Sequence, residues 1–236
     1  MARLQENYQA YNWIRADHGE SDAEVYRLVG EQTFYLKVGG SDLAAEAERL
    51  EWLAAQGMPV PHVVEAGADW LVTTEVAGVP AAELDHVVDA MASVARMLHA
   101  LPVEACPYRR DLAVTTEQAH KQVSNGLVDL ENLEDEYDGW TGEQLLERLR
   151  QSRPADEDLV VCHGDFTPEN VLLDPLTGAV TGLIDVGRLG VADRWLDLAI
   201  AYREFCEEDA RRFLSQYGTP LAAEKLAYYV LLDEFF

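Results

Sequence analysis

The stretch VVCHGDFTPENVLLD, residues 160–174, decides how this chain is read. It sets a histidine, several carboxylates and an asparagine between two apolar runs. Asp165 follows VVCHG, where the chain turns sharply after a strand-like run, and a carboxylate there can accept a proton from a substrate hydroxyl. Asn170 comes five residues later, and Asp185 follows the apolar GLI at 182–184. An amide carbonyl and a carboxylate are hard oxygen ligands, suited to Mg²⁺ rather than to zinc. Because Mg²⁺ takes few protein ligands and completes its shell with phosphate oxygens, such a pair implies a nucleoside triphosphate. Each of the three residues alone is as well explained by a turn, where Asp and Asn are at home.

Upstream the chain supplies more of the same chemistry. EVYRLVG and TFYLKVG read as two strands of a hairpin joined by GEQ. Lys37 lies in the second, either on a solvated face or aimed at a phosphate. SDLAAEAERLEWLAAQG reads as a helix capped by Ser41 or Asp42 and ended by Gly57, with Leu43, Ala47, Leu50 and Ala54 as its buried stripe. Glu46 falls about one turn into it and can pair with Lys37. A strand Lys, a helix Glu, a loop Asp, an Asn and a strand-end Asp are the parts of kinase-type phosphoryl transfer.

Around these motifs the chain divides in character. Residues 1–76 read as a small β-rich region with one prominent helix, ending in the strand DWLVTTEVAG. Residues 77–236 read as mainly helical. ELDHVVDAMASVARMLHAL puts Leu84, Val87, Val88, Met91, Val94, Ala95, Leu98 and Leu101 on one face, with Met91 and Met97 expected in the core. TTEQAHKQVSNGLVDLENLEDEYDGW reads as an acid-rich helical region and TGEQLLERLRQS as a further helix. A short hairpin, NVLLD–PLTG–VTGLIDVG, interrupts the helices, and three more close the chain.

Composition narrows the class. The chain has 236 residues, 48% of them hydrophobic, and a formal net charge of −25. That charge argues against nucleic-acid and anionic-membrane partners, which need a basic face. It suits a cationic ligand, which an acidic cleft concentrates, as well as it suits a merely solvated surface. No apolar run approaches the roughly 18 residues of a membrane span. The first residues lack the apolar segment of a secretion signal. Cys106, Cys162 and Cys206 are widely spaced and form no Cys-x-x-Cys, so reduced thiols in a cytoplasmic protein are expected.

VVCHGDFTPENVLLD followed by GLIDVGRLGVADRWLDLAIAYRE resembles the aminoglycoside phosphotransferases. EVYRLVGEQTFYLKV, EAERLEWLAAQGMPVPHV, GLVDLENLEDE and the terminal YYVLLDEFF resemble the 3′-phosphotransferase branch, and the resemblance runs along essentially the whole chain. It implies an α+β, bilobal protein-kinase-like fold, with a β-rich N-terminal lobe and a mainly α-helical C-terminal lobe. The implied activity is ATP- and Mg²⁺-dependent phosphorylation of an aminoglycoside hydroxyl, most specifically the 3′-OH, giving antibiotic resistance. No obligate protein partner is implied.

Residue by residue, the resemblance makes Asp165 the catalytic base, Asn170 and Asp185 the Mg²⁺ ligands, and Lys37 the contact to the α/β-phosphates, paired with Glu46. Tyr35 would stack on adenine, the backbone from Thr74 to Val76 would read its edge, and Ser21 would lie in the loop over the phosphates. That loop has no G-x-G-x-x-G, only Gly19 and then Gly30. His163 would support the catalytic loop. On the drug side the matching positions are Glu131, Glu134, Arg188, Asp233, Glu234 and Phe236 with its carboxylate. Asp193 either contributes there or braces the loop with Arg188 or Arg194, and Glu136 and Asp138 are equally read as solvated. Kinases of choline, homoserine, macrolides or fructosamines share the triad, and a non-catalytic kinase-like binding module is the non-enzyme alternative. Those kinases are not expected to share the acidic stretch and the terminal LLDEFF, and the intact Lys37, Asp165 and Asp185 speak against the binding module.

Overall fold

The computed structural model describes residues 2–16, 23–40, 43–85 and 87–236. By its contacts the chain forms two units, residues 1–80 with 171–187, and residues 81–170 with 188–236. The hairpin after Asn170 therefore groups with the N-terminal strands, whereas the sequence reading left it with the helices beyond residue 76.

The first unit is built on a five-stranded antiparallel sheet. In chain order its elements are α1 (Ala2–Asn7), β1 (Asn12–Arg15), β2 (Glu24–Val29), β3 (Thr33–Val38), α2 (Leu43–Ala55), β4 (Val63–Ala66), β5 (Trp70–Thr74) and β6 (Val79–Pro80). The sheet order is β1-β2-β3-β5-β4. Side chains alternate across a strand, and β3 uses both faces. Phe34 and Leu36 enter a core with Leu4, Tyr8, Leu28 and Val72. Thr33, Tyr35 and Lys37 take the opposite face. Later in the chain, β8 (Val171–Leu173) and β9 (Val180–Leu183) form the hairpin, and β6 pairs with β8.

Helix α2 buries Leu43, Glu46, Ala47, Leu50 and Leu53. Ala54, placed in that stripe from sequence, is exposed, because the 3.6-residue turn carries the buried line from Leu50 to Leu53. The expected caps Ser41 and Asp42 lie outside the described residues. Gly57 follows the helix at φ 80°, a conformation that costs a glycine little. The extra elements α1, β1 and β6 escaped the sequence reading. They are short, and a strand of four residues or fewer carries too little alternation to register.

The second unit is helical. Its elements are α3 (Val87–His99), α4 (Leu112–Asn125), α5 (Gly142–Gln151), β7 (Leu159–Cys162), β10 (Gly190–Asp193), α6 (Trp195–Arg203), α7 (Glu207–Tyr217) and α8 (Ala223–Asp233), with β10 antiparallel to β7. Val88, Met91, Ala92, Val94, Ala95 and Leu98 bury one side of α3. Leu84 and Leu101 fall outside that helix, and Met97 is exposed rather than in the core. Helix α5 begins with a capping box between Thr141 and Gln144.

The acid-rich stretch departs most from expectation. Helix α4 ends at Gly126, whose φ of 65° caps it, and residues 127–134 are turns rather than helix. Like charges three and four apart disfavour a helix. Asp129 instead accepts from the Glu131 N–H and the Asn132 side chain, a local turn that competes with helical bonding.

Candidate functional site

In the first unit, one ammonium gathers two carboxylates from distant parts of the chain. Lys37 sits mid-strand, paired with Val25 on β2 and Leu71 on β5, so its backbone is fixed on both sides. Its Nζ donates to Glu46 Oε1 at 2.8 Å and to Asp185 Oδ1 at 2.8 Å. Burial works against the Lys37 charge, but the Glu46 and Asp185 carboxylates outweigh it, and the pKa is raised. Glu46 is buried, while the Asp185 side chain is 45% exposed. Asp185 is the non-glycine residue at positive φ, 60°, among the described residues. Asp tolerates that region better than most side chains. A carboxylate held out in this way, beside a fixed ammonium, can serve a phosphate-bound cation.

Tyr35 shares the Lys37 face of β3, two residues away. The backbone at Thr74 is committed on its donor side. Its N–H donates to the His62 carbonyl at 2.9 Å, and the Glu75 N–H donates to Thr33. Among the described residues Val76 N–H has no such backbone partner. The Val76 side chain lies over Gly182, where an added Cβ would come within 2.8 Å of its Cγ1. Ser21 lies outside the described residues.

In the second unit, the loop after β7 is held from several sides. Gly164 has φ 86°, and a Cβ on it would lie 2.3 Å from the Arg188 carbonyl oxygen, so no other residue fits there. The His163 and Gly164 N–H groups donate to the two oxygens of Asp197 at 2.7 and 2.8 Å. Asp197 is fully buried on α6. Beyond the turn, Asn170 Nδ2 donates to the Asp165 carbonyl at 2.9 Å and to Asp165 Oδ2 at 3.0 Å. These bonds use the amide's donors and leave its carbonyl oxygen as the atom that can face a cation. The donor chemistry on Asn170 and Asp185 is therefore oxygen only, which fits Mg²⁺.

The chain end is organised by arginines. Arg188 donates to the Phe236 carbonyl and lies 3.5 Å from Asp233, and Arg203 pairs with the same carboxylate. The guanidinium carbons of Arg110 and Arg188 sit 5.4 and 5.6 Å from the centre of the Phe236 ring. Asp233 is thus answered by two cations of the protein itself. Among the described residues Glu234 makes no such ion pair, and the nearby Arg203 only partly offsets its surroundings. Its Oε2 accepts from the Glu134 N–H at 3.2 Å, and burial, with Glu134 and Asp233 nearby, pushes its carboxyl above the usual range. Glu131 and Glu134 are exposed in the turn region.

Asp193 is fully buried and braces its strand end, but through partners the sequence did not suggest. It accepts from Trp195 and Asp158 N–H and pairs with Lys225 at 2.6 Å, not with Arg188 or Arg194. Sequence reading also missed Asp197 and Arg203. The available signal for Asp197 was a carboxylate inside the apolar run RWLDLAIA.

Four likenesses bear on what these groups do. The profile of the phosphotransferase enzyme family matches residues 13–228. An aminoglycoside 3′-phosphotransferase of Streptomyces fradiae is 51% identical, over 99% of this chain and 98% of that protein. The crystal structure of an aminoglycoside-3′-phosphotransferase of type VIII matches with a TM-score of 0.93 at 49% identity, over 100% of this chain and 97% of the other. The aminoglycoside phosphotransferase APH(3″)-Id of Streptomyces rimosus, in complex with ADP and streptomycin, matches at 0.83 and 30% identity, over 98% and 95%. With likenesses that run its full length, the chain belongs to the phosphotransferase enzyme family.

Proposed function

We propose that this protein transfers the γ-phosphoryl group of ATP to a hydroxyl of an aminoglycoside, the 3′-hydroxyl of kanamycin- and neomycin-type drugs. The observation that carries the reading is the Lys37 ammonium held between Glu46 and Asp185 at 2.8 Å each. Such a cation is oriented, kept charged and ready for a phosphate. The ADP and streptomycin bound by the Streptomyces rimosus relative support a nucleotide donor and an aminoglycoside acceptor. The names of the 3′-specific relatives support the regiochemistry.

In this reading Lys37 holds the α/β-phosphates, and Glu46 keeps its ammonium in place. Asp185 and the carbonyl oxygen of Asn170 would hold Mg²⁺, which would neutralise the triphosphate. Asp165 orients the acceptor hydroxyl and takes its proton as the oxygen bonds to the γ-phosphorus and the bond to the ADP oxygen breaks. The Asn170 amide bonds hold Asp165 for that task, so most of the rate comes from position and charge. Glu131, Glu134 and Glu234 attract the ammonium groups of the drug, while Arg188 and Arg203 fix Asp233 and the chain end. Tyr35 and Val76 receive the base. The product gains roughly two negative charges, which weakens its hold on RNA phosphates and so confers resistance. ATP as donor puts this work in the cytoplasm.

Turnover of ATP with kanamycin beside its 3′-deoxy relative tobramycin tests the proposal. Phosphorylation of kanamycin and inhibition without turnover by tobramycin are expected. Efficient phosphorylation of tobramycin would move the reaction to another hydroxyl.

A further inference from the structure

Behind the loop that carries Asp165, four side chains of the helical unit form one hydrogen-bonded file. Arg194 Nη1 donates to the Tyr217 hydroxyl oxygen at 3.0 Å. The Tyr217 hydroxyl lies 2.8 Å from His99 Nδ1, and His99 Nε2 lies 3.1 Å from Asp197 Oδ2. Asp197 then accepts the His163 and Gly164 N–H groups, two and one residues before Asp165. The His99 side chain is 3% exposed and that of Asp197 is fully buried.

The directions of these bonds follow from donor inventory. A carboxylate only accepts, so His99 Nε2 carries a hydrogen. The Tyr217 oxygen already receives an Arg194 N–H. Its own proton needs a lone pair, and among the described residues the partner within reach is His99 Nδ1. Burial pushes the Tyr217 phenol up to about 12, so that proton is present at neutral pH. The file then runs one way, from the Arg194 guanidinium to the Asp197 carboxylate, through the His99 ring.

A competing use of this corner is a cation site, since ligating atoms of His99, Cys162 and Asp197 lie within 4.8 Å of one another. Their atoms are otherwise employed. The Cys162 thiol faces the carbonyls of Ala192 and Asp193, and burial pushes its pKa well above the ordinary value. Both Asp197 oxygens already hold amide hydrogens. From the elements packed on His99, the titratable groups that face it are Asp197, Tyr217 and Cys162, with Arg194 behind Tyr217.

We propose that Tyr217 and His99 are positioning residues for Asp165: the Tyr217 proton fixes His99 as the Nε2–H tautomer, and that N–H holds the Asp197 carboxylate against the loop. The proposal rests on the reading of Asp165 as the group that orients the acceptor. Neither residue touches substrate, so their effect belongs in kcat rather than in KM.

The test begins without substrate. Long-range ¹H–¹⁵N correlation on the full chain, with His99 assigned by its loss in His99→Gln, should show a neutral imidazole protonated at Nε2. A pattern protonated at Nδ1, or at both nitrogens at neutral pH, overturns the proposal. Tyr217→Phe keeps the ring and removes the proton. It should speed hydrogen exchange at the His163 and Gly164 amides and lower kcat about tenfold, short of the ~10²-fold cost of a 1 Å misplacement. Both KM values should stay within about twofold. Unchanged exchange and kcat, or a loss carried by KM, overturns it. Should Tyr217→Phe fold poorly, His99→Gln, which keeps an N–H for Asp197, should retain far more kcat than His99→Met. Equal loss in the two would sink the idea. A wild-type chain that phosphorylates no aminoglycoside would overturn the functional reading alone, since the spectra and exchange rates decide the file independently.

Discussion

Two polar loops of the helical unit, residues 163–170 and residues 127–135, are made of similar residues and built in opposite ways. In the first, the groups around Asp165 are held from behind. Asp197 holds two amides, Asn170 holds both the carbonyl and the carboxylate of Asp165, and Gly164 leaves no room for a side chain. In the second, the Glu131 and Glu134 side chains stand in water, and the backbone is ordered by Asp129 turning it on itself and by Glu234 holding the Glu134 N–H. The contrast teaches what each loop is able to contribute. A braced loop delivers one oxygen to one place, where an ångström matters and salt does not. A solvated acidic loop delivers charge over a wide area, where geometry is loose and ionic strength matters.

That difference is open to direct attack. The largest effect is expected at Asp165→Ala, with kcat falling at least ~10²-fold and nucleotide affinity nearly unchanged. Near-normal kcat in steady-state assays would remove this loop from the chemistry. Next comes Asp197→Ala, which strips the acceptor from two buried amides. Each orphaned group costs about 1–3 kcal/mol, so the urea midpoint should fall clearly. Unaltered stability would mean the loop holds its shape by other means.

Smaller effects belong to the solvated side. Glu131→Gln should raise KM for kanamycin by severalfold at most, in keeping with the ~0–1 kcal/mol of an exposed ion pair. The difference from wild type should fade as salt is raised, whereas the Asp165→Ala defect should not. A salt-independent Glu131 effect would mean that this loop, too, works by position.

The smallest effect concerns Glu234, whose pKa is raised by half-burial and neighbouring acids. A carboxyl raised in the folded state favours folding below its unfolded value and loses that advantage as pH rises through the folded one. Glu234→Gln should therefore melt slightly higher than wild type at pH 7, and the gap should close as pH falls below the ordinary Glu range. A gap that widens in acid would contradict this sign.

The same contrast separates what the sequence could and could not tell. Lys37, Glu46 and Asp185 were legible because a charged residue in an apolar strand, one turn of helix and a strand end are local patterns, and the structure brings the three to one ammonium. The helices α3 and α5 were legible from their apolar period. The Asp129 turn was not, since composition reads acid density without deciding between solvated helix and solvated loop. Asp233 was expected to face the drug because the resemblance places it among the acids that hold the ammonium groups. That Arg188 and Arg203 occupy it depends on residues 45 and 30 positions away, which no local pattern records. His99 was missed for the same reason, whereas Asp197 had left a local sign, a carboxylate inside the apolar run RWLDLAIA.

The hairpin at 171–187 has a consequence for how the protein is made. It supplies β8 as the partner of β6, the Leu183 N–H that donates to the Pro59 carbonyl, and the second carboxylate on Lys37. Translation proceeds at about 5–20 residues per second, so roughly 5–20 s separate the emergence of residue 80 from that of residue 187. Through that interval the nascent N-terminal sheet has one acid for its buried ammonium and an open seat along β6. The N-terminal segment therefore emerges without the strand that completes it, and a gene cut after residue 80 encodes a fragment that waits for a strand it never receives.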